Sequence, residues 1–114
     1  MKVLVCGSRD FKGVSIIRFD LTELLAEYDN RRLTIIEGGA LGADRIAQRF
    51  AKDAWVKLIT VPADWDKHGK AAGPIRNQEM LDMRPDLVLA YTCKPLAESR
   101  GTNDMVTRAK KAGV

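Results

Sequence analysis

Apolar and polar positions follow two rhythms along this chain. Short, nearly unbroken apolar runs at Lys2–Cys6, Leu33–Glu37, Val56–Val61 and Asp86–Tyr91 have the length of buried strands. Between the first two, apolar residues fall at Val14, Ile17, Leu21, Leu24, Leu25 and Tyr28, which is helical spacing, and Asn30 ends that helix. A second helix spans Asp44–Ala54, with Ile46, Ala47, Phe50, Ala51 and Ala54 facing inward. Pro62 stops the third strand, and a long polar connection follows from Ala63 to Ala72. Gly73-Pro74 starts a third helix, because proline is tolerated in the first helical turn. After the fourth strand, Thr92–Arg100 forms a loop. Thr102 can then cap a last helix that runs to about Ala112, with Gly113 as its stop.

This alternation predicts an α/β fold. About four parallel strands take the order 3-2-1-4, with helices on both faces and right-handed crossovers. At 114 residues the chain makes one domain, residues 1–114. It ends at Val114, where a fifth strand would begin. That leaves the sheet edge open or covered by a second subunit, and a homodimer is expected.

Composition narrows the class. Apolar residues make up 46% and charged residues 30%, as in soluble proteins. No stretch approaches the roughly 20 apolar residues of a membrane helix, and the start runs directly into a strand, so no membrane association and a cytoplasmic location are expected. Cys6 and Cys93 are the only cysteines and have no zinc or redox spacing; Cys6 is expected to be a small core residue. No metal or cofactor motif is present. The net charge of +4 comes from scattered Lys and Arg and suits an anionic ligand, small or polymeric.

Three glycine turns carry the candidate chemistry. They are Gly7-Ser8-Arg9-Asp10, Gly38-Gly39-Ala40-Leu41-Gly42-Ala43-Asp44 and Gly101-Thr102-Asn103-Asp104. Each follows an apolar run and is expected to open a helix, where glycine lets backbone N–H groups approach an anion. In the middle turn Glu37 stands where a dinucleotide fingerprint has its first glycine, so only Gly39-x-x-Gly42 survives. That turn either admits a ligand or is a tight strand-to-helix connection. Asp44 would repel a phosphate, so it faces a ribose hydroxyl, a base or solvent, or it stabilises the helix start. Gly101-Thr102 offers close approach, a hydroxyl and outward N–H groups, the alternative being plain capping by Thr102. Ser8 and Arg9 can meet a phosphate or ribose, unless Arg9 pairs with Asp10.

The long connection adds Trp65, Asp66, His68, Lys70, Arg76 and Asn77. Trp65 either stacks on a base or closes the core. His68 stands alone and is read as a surface or hydrogen-bonded residue rather than a catalyst. Arg76 and Glu79 share a helix face, and either form an ion pair or present both charges to a cleft.

Together, Val5-Cys6-Gly7-Ser8-Arg9-Asp10, Glu37 through Asp44, Pro62-Ala63-Asp64-Trp65, Lys67 through Asn77 and Gly101-Thr102 closely resemble the YspA/YpsA-related branch of the SLOG superfamily. The resemblance covers almost the whole chain. It implies a Rossmann-like domain of a kind found in bacteria and phages, and binding of a nucleotide or nucleotide-derived molecule by a sensor or binding module. It also relates the chain distantly to Lonely-guy-type phosphoribohydrolases. Their helix-borne Arg-Lys-x-x-Met is similar to Arg76-Asn77-Gln78-Glu79-Met80, and their glycine-threonine turn to Gly101-Thr102. Their catalytic glutamate, however, falls on Met105, and a thioether cannot stabilise an oxocarbenium ion. Asp104 and Glu79 are the possible substitutes.

The expected ligand residues are therefore Gly7, Ser8, Arg9, Gly38, Gly39, Gly42, Asp44, Trp65, Arg76, Asn77, Gly101 and Thr102, around a nucleotide-derived small molecule and without a cofactor. A first alternative is an N-glycosidic hydrolase of nucleoside monophosphates, with Arg76 and either Asp104 or Glu79 in the catalytic roles. A second is single-stranded nucleic-acid binding, as in the DprA-related branch; few aromatics and no basic stripe speak against it.

Overall fold

A computed structural model describes all 114 residues. Its four parallel strands are β1 (Lys2–Gly7), β2 (Thr34–Glu37), β3 (Lys57–Thr60) and β4 (Leu87–Tyr91), in the order β3-β2-β1-β4. The register sets Leu4 beside Ile36 on one flank and Val88 on the other, and carries β1 to Gly7 opposite Tyr91.

Side-chain alternation along the strands sorts the helices. Val3, Val5 and Ile35 point into one core with Ile17 and Leu21 of α1 (Val14–Arg32) and Ala43, Ala47, Phe50 and Ala51 of α2 (Ala43–Ala54). Leu4, Cys6 and Ile36 point into the other, against Met80 and Leu81 of α4 (Ala72–Asp82) and Met105 and Ala109 of α5 (Arg100–Lys111). Cys6 is thus the core residue expected of it. Chain direction explains the split. The path β1-α1-β2-α2-β3 moves to one side of β1, whereas β4 lies on the other side. The loops leaving β1 and β4 therefore diverge to opposite faces and open a crevice at their carboxyl ends.

Local differences from the expected elements have physical reasons. Regular helix in α1 breaks at Asp29, which adopts φ 55°, one residue before Asn30. The Asp29 carboxylate accepts the N–H groups of Arg31 (2.9 Å) and Arg32 (3.2 Å), restarting one turn. The connection after Pro62 is not an open loop. Asp64 accepts the Lys67 N–H at 3.1 Å and caps a single turn, α3 (Trp65–His68), and a 3₁₀ turn at Gly69–Ala71 runs directly into α4. Nor does Thr102 cap the last helix. A 3₁₀ turn at Leu96–Glu98 brings the start of α5 forward to Arg100, placing Thr102 third in the helix and burying it. No helix is long and apolar enough to cross a membrane.

Candidate functional site

The crevice between the β1 and β4 loops is a cleft of about 480 Å³, within the range of small-molecule sites. Residues Cys6–Asp10, at the end of β1 and just beyond it, form one wall, and the segment from Glu98 to Asp104 forms the other. Trp65, Arg76 and Asn77 close it from α3 and α4, and Asp44 reaches it from α2. Beside it lies a smaller lobe of about 270 Å³ that shares Arg9, Ala40, Trp65 and Arg76 with the larger one.

Of the expected ligand residues, Gly7, Ser8, Arg9, Asp44, Trp65, Arg76, Asn77, Gly101 and Thr102 line the larger cleft, and Gly38 and Gly39 the smaller lobe. Gly42 lines neither, and its role is packing. It has φ 79°, and a Cβ there would overlap the Ser8 carbonyl oxygen. Gly7 does not open a helix, because six residues separate it from α1. A Cβ on Gly7 would strike the Tyr91 carbonyl and the Ala43 methyl. These two glycines bring the β1 loop against both β4 and the start of α2.

The Gly38, Gly39 and Ala40 N–H groups of the middle glycine turn are taken by carboxylates of the chain and are not free for an anion, whereas those of Ala43, Asp44 and Arg45 at the start of α2 have no protein acceptor. The Asp44 carboxylate accepts from Gly38 N–H (3.1 Å) and Ala40 N–H (3.2 Å), and Glu37 accepts from Gly39 N–H (2.5 Å). Glu37 is wholly buried and also accepts from the Thr60 hydroxyl (2.5 Å) and the Gln48 amide (3.0 Å). Asp44 is 5% exposed, so it does not face solvent. Burial pushes its carboxyl up to about 6, and the Glu37 charge adds to this. The Ala40 and Gly38 N–H groups and Arg76 act in the opposite direction. Cys6, on the cleft floor, is held up at about 12, chiefly by burial and then by Asp44, so its thiol stays protonated and is no nucleophile.

Arg76 does not pair with Glu79. Its Nη1 donates to the Gly38 carbonyl at 2.8 Å and its Nε to the Asn77 Oδ1 at 3.2 Å, leaving its remaining N–H groups available at the wall shared by both lobes. Gly38 makes room for this, since a Cβ there would overlap the guanidinium. Arg9 is exposed and forms no ion pair with Asp10.

The two candidate carboxylates separate. Glu79 is exposed and lies outside both lobes. Asp104 lines the larger cleft. Its Oδ2 accepts from Asn77 Nδ2 (3.0 Å) and from Arg108 Nε (2.9 Å), and Arg108 in turn reaches Gln78 (3.0 Å). Asn77 Nδ2 also donates to the Gly101 carbonyl at 3.1 Å, which ties α4 to the first turn of α5.

That first turn is open. The Asn103 N–H is bound by the Ser99 carbonyl, no side chain caps the helix, and the N–H groups of Arg100, Gly101 and Thr102 have no protein acceptor. Nothing stands within 4 Å of where a Gly101 Cβ would lie. Thr102 is 5% exposed, yet its hydroxyl makes no hydrogen bond within the protein; since no sealed side-chain oxygen lacks a partner, this one opens to the cleft. Lys70, Lys94 and Arg100 add positive charge to the same cleft, and Asp10 and Glu98 add negative charge. Lys94 and Arg100 were not singled out from sequence; their nearness to the Gly101-Thr102 turn was the available signal. His68 is outside both lobes, and no three His, Cys, Asp or Glu side chains converge as metal ligands.

No solved structure matches the chain. Over 121 aligned residues it is 38% identical to the Gene 61 protein of Mycobacterium phage D29, covering 99% of this chain and 91% of that one. The family model for the YspA, cpYpsA-related SLOG family matches residues 1–68, which hold the β1 loop, the middle glycine turn and α3. On that match and that identity, the chain belongs to the YspA, cpYpsA-related SLOG family.

Proposed function

We propose that this protein binds a phosphorylated nucleotide or nucleotide derivative in the cleft between the β1 and β4 loops and acts as a binding or sensing module. The observation that carries this is the uncapped first turn of α5. Free backbone N–H groups and the Thr102 hydroxyl meet in a cleft that also presents Arg9, Lys70, Arg76, Lys94 and Arg100. Such a helix start receives a phosphate without rearrangement. Asp104 and Asn77 supply acceptors and donors for ribose hydroxyls, and Trp65, half exposed on the wall, offers a face to a base. The family's association with nucleotide-related ligands supports the same reading. Four carboxylates among the cations favour a bounded ligand with hydroxyl donors over a continuous polyanion. A thermal-shift panel of nucleoside monophosphates, with free nucleosides and inorganic phosphate as controls, tests it. The expected result is a rise in melting temperature for at least one nucleotide above both controls. No rise at millimolar concentration overturns the proposal.

A second reading, N-glycosidic hydrolysis, draws on one observation. Asp104 stands in the cleft, ion-paired with Arg108 at 2.9 Å, where an anion can stabilise positive charge developing on a sugar. Base release followed chromatographically, in the native chain and in Asp104→Asn, separates the readings. Release abolished by the substitution establishes hydrolysis; binding without release supports the sensor. The homodimer is likewise a proposal. The outer edges of β3 and β4 carry no strand partner, and sedimentation equilibrium measures the outcome.

A further inference from the structure

The smaller lobe is not a continuation of the phosphate site. It is walled by Leu41, Pro62, Ala63 and Trp65, and its backbone floor is Gly38-Gly39, whose N–H groups are occupied by Asp44 and Glu37. Leu41 is 58% exposed and Trp65 50% exposed, so two large apolar side chains face solvent at its mouth. A free anion gains nothing from such walls; a planar heterocycle does. The only cations on this lobe are Arg9 and Arg76, the two that also line the larger cleft. Arg76 is fixed there by the Gly38 carbonyl (2.8 Å) and Asn77 (3.2 Å), with free N–H groups to spare.

We infer that the ligand is two-headed: a nucleotide in the larger cleft with its own phosphate at the first turn of α5, joined through the adjacent phosphate, held at Arg9 and Arg76, to a second planar heterocycle seated between Leu41, Pro62, Ala63 and Trp65. This rests on the nucleotide-binding reading above and extends it to a ligand class, dinucleoside-type phosphate esters. The larger cleft, at about 480 Å³, has room for one nucleotide, and the smaller, at about 270 Å³, for one further ring system. Arg9 and Arg76 stand on the wall common to both lobes, where a phosphate bridge between the two heads would run, and each guanidinium can donate to it. Both groups then bind through one connection, which raises the affinity of the second head.

The test is calorimetric titration of the symmetric 5′,5′-dinucleoside diphosphates of adenine, guanine, cytosine and uracil, each against its own mononucleotide. At least one two-headed compound is expected to bind about tenfold or more tightly than its mononucleotide. Ala63→Trp fills the smaller lobe and is expected to erase that gain while leaving mononucleotide affinity within about twofold. Leu41→Ser, at an exposed position that does not bear on folding, is expected to reduce the gain in the same direction. Mononucleotide binding with no gain from the second head overturns this inference alone. A gain that survives both substitutions also overturns it. Absence of binding by every compound overturns the nucleotide reading and this inference with it.

Discussion

Replacing Asp44 by asparagine should stabilise the protein at neutral pH and leave it nearly unchanged in mild acid. Asp44 is buried, and both its backbone contacts, Gly38 N–H and Ala40 N–H, fall on a single oxygen, Oδ2. An asparagine Oδ1 can accept the same two bonds, and its amide can turn to the cleft that Asp44 already lines. What the substitution removes is a charge that burial and Glu37 oppose, so that the carboxyl titrates at about 6 instead of 3.8. The folded protein therefore holds this proton more tightly than the unfolded chain. The stability from this site is fully present below the unfolded value and is lost as pH rises through about 6. Each pH unit across that interval is worth about 1.4 kcal/mol, and the whole span about 3 kcal/mol. Urea unfolding of both proteins at about pH 4 and about pH 7.5 isolates the term, because other titrating groups cancel in the difference. The variant should lie within about 0.6 kcal/mol of the native chain at the lower pH and exceed it by about 3 kcal/mol at the higher. An asparagine variant that is less stable by the same amount at both values would falsify the argument, since it would show the carboxylate acting through its bonds and not its charge.

Arg76→Ala should weaken binding of a nucleoside monophosphate by about tenfold or more and of the parent nucleoside far less, because a charge-assisted contact is worth about 1.5–3 kcal/mol; equal losses in calorimetry would assign Arg76 to packing alone. Thr102→Val keeps the buried shape and removes only the free hydroxyl, so phosphate affinity should fall by about fivefold, equivalent to about 1 kcal/mol, with urea stability unchanged. Tyr91→Phe removes the 2.6 Å bond from the phenol to Asp20. It should cost about 1.5 kcal/mol in urea unfolding, and no loss would show that the packing of Phe11 on this ring, with centroids 5.4 Å apart, holds the β1 loop unaided.

The sheet was legible because strand periodicity is local. Val3 and Val5 alternate with Leu4 and Cys6, and that alternation already divides the two cores. The strand order followed from the connections, and the crevice from the strand order. The start of α5 was less legible. Gly101-Thr102 has the look of a cap, but after the 3₁₀ turn at Leu96–Glu98 the helix starts three residues earlier, and Thr102, no longer at the cap position, keeps its hydroxyl free. The chain from Arg76 through Asn77 and Asp104 to Arg108 joins two helices far apart in sequence, and no spacing rule reports it. The Arg76–Glu79 spacing leaves open an ordinary helical pair or two charges facing the cleft; Gly38 gives Arg76 a fixed acceptor instead, and Glu79 stays exposed outside both lobes.

The three glycine turns look alike in sequence and do different work for one topological reason. β1 is central, so the loop leaving it must pack tightly against both the neighbouring strand and the helix beside it. Gly7 allows contact with Tyr91 and Ala43, and Gly42 allows contact with the Ser8 carbonyl. In the turn after β2 the Gly38 N–H is buried out of reach of water, and the Gly39 and Ala40 N–H groups lie beside it, partly buried. Two carboxylates from the chain itself take them, at the cost of a buried acidic pair. The β4 strand sits at the sheet edge, and no later strand packs over its exit loop. Its turn into α5 leaves the N–H groups of Arg100, Gly101 and Thr102 unmet by protein, beside the Thr102 hydroxyl in the cleft. The same packing that fixes the first two turns shapes the cleft's far wall, and the third is the turn we propose for the phosphate.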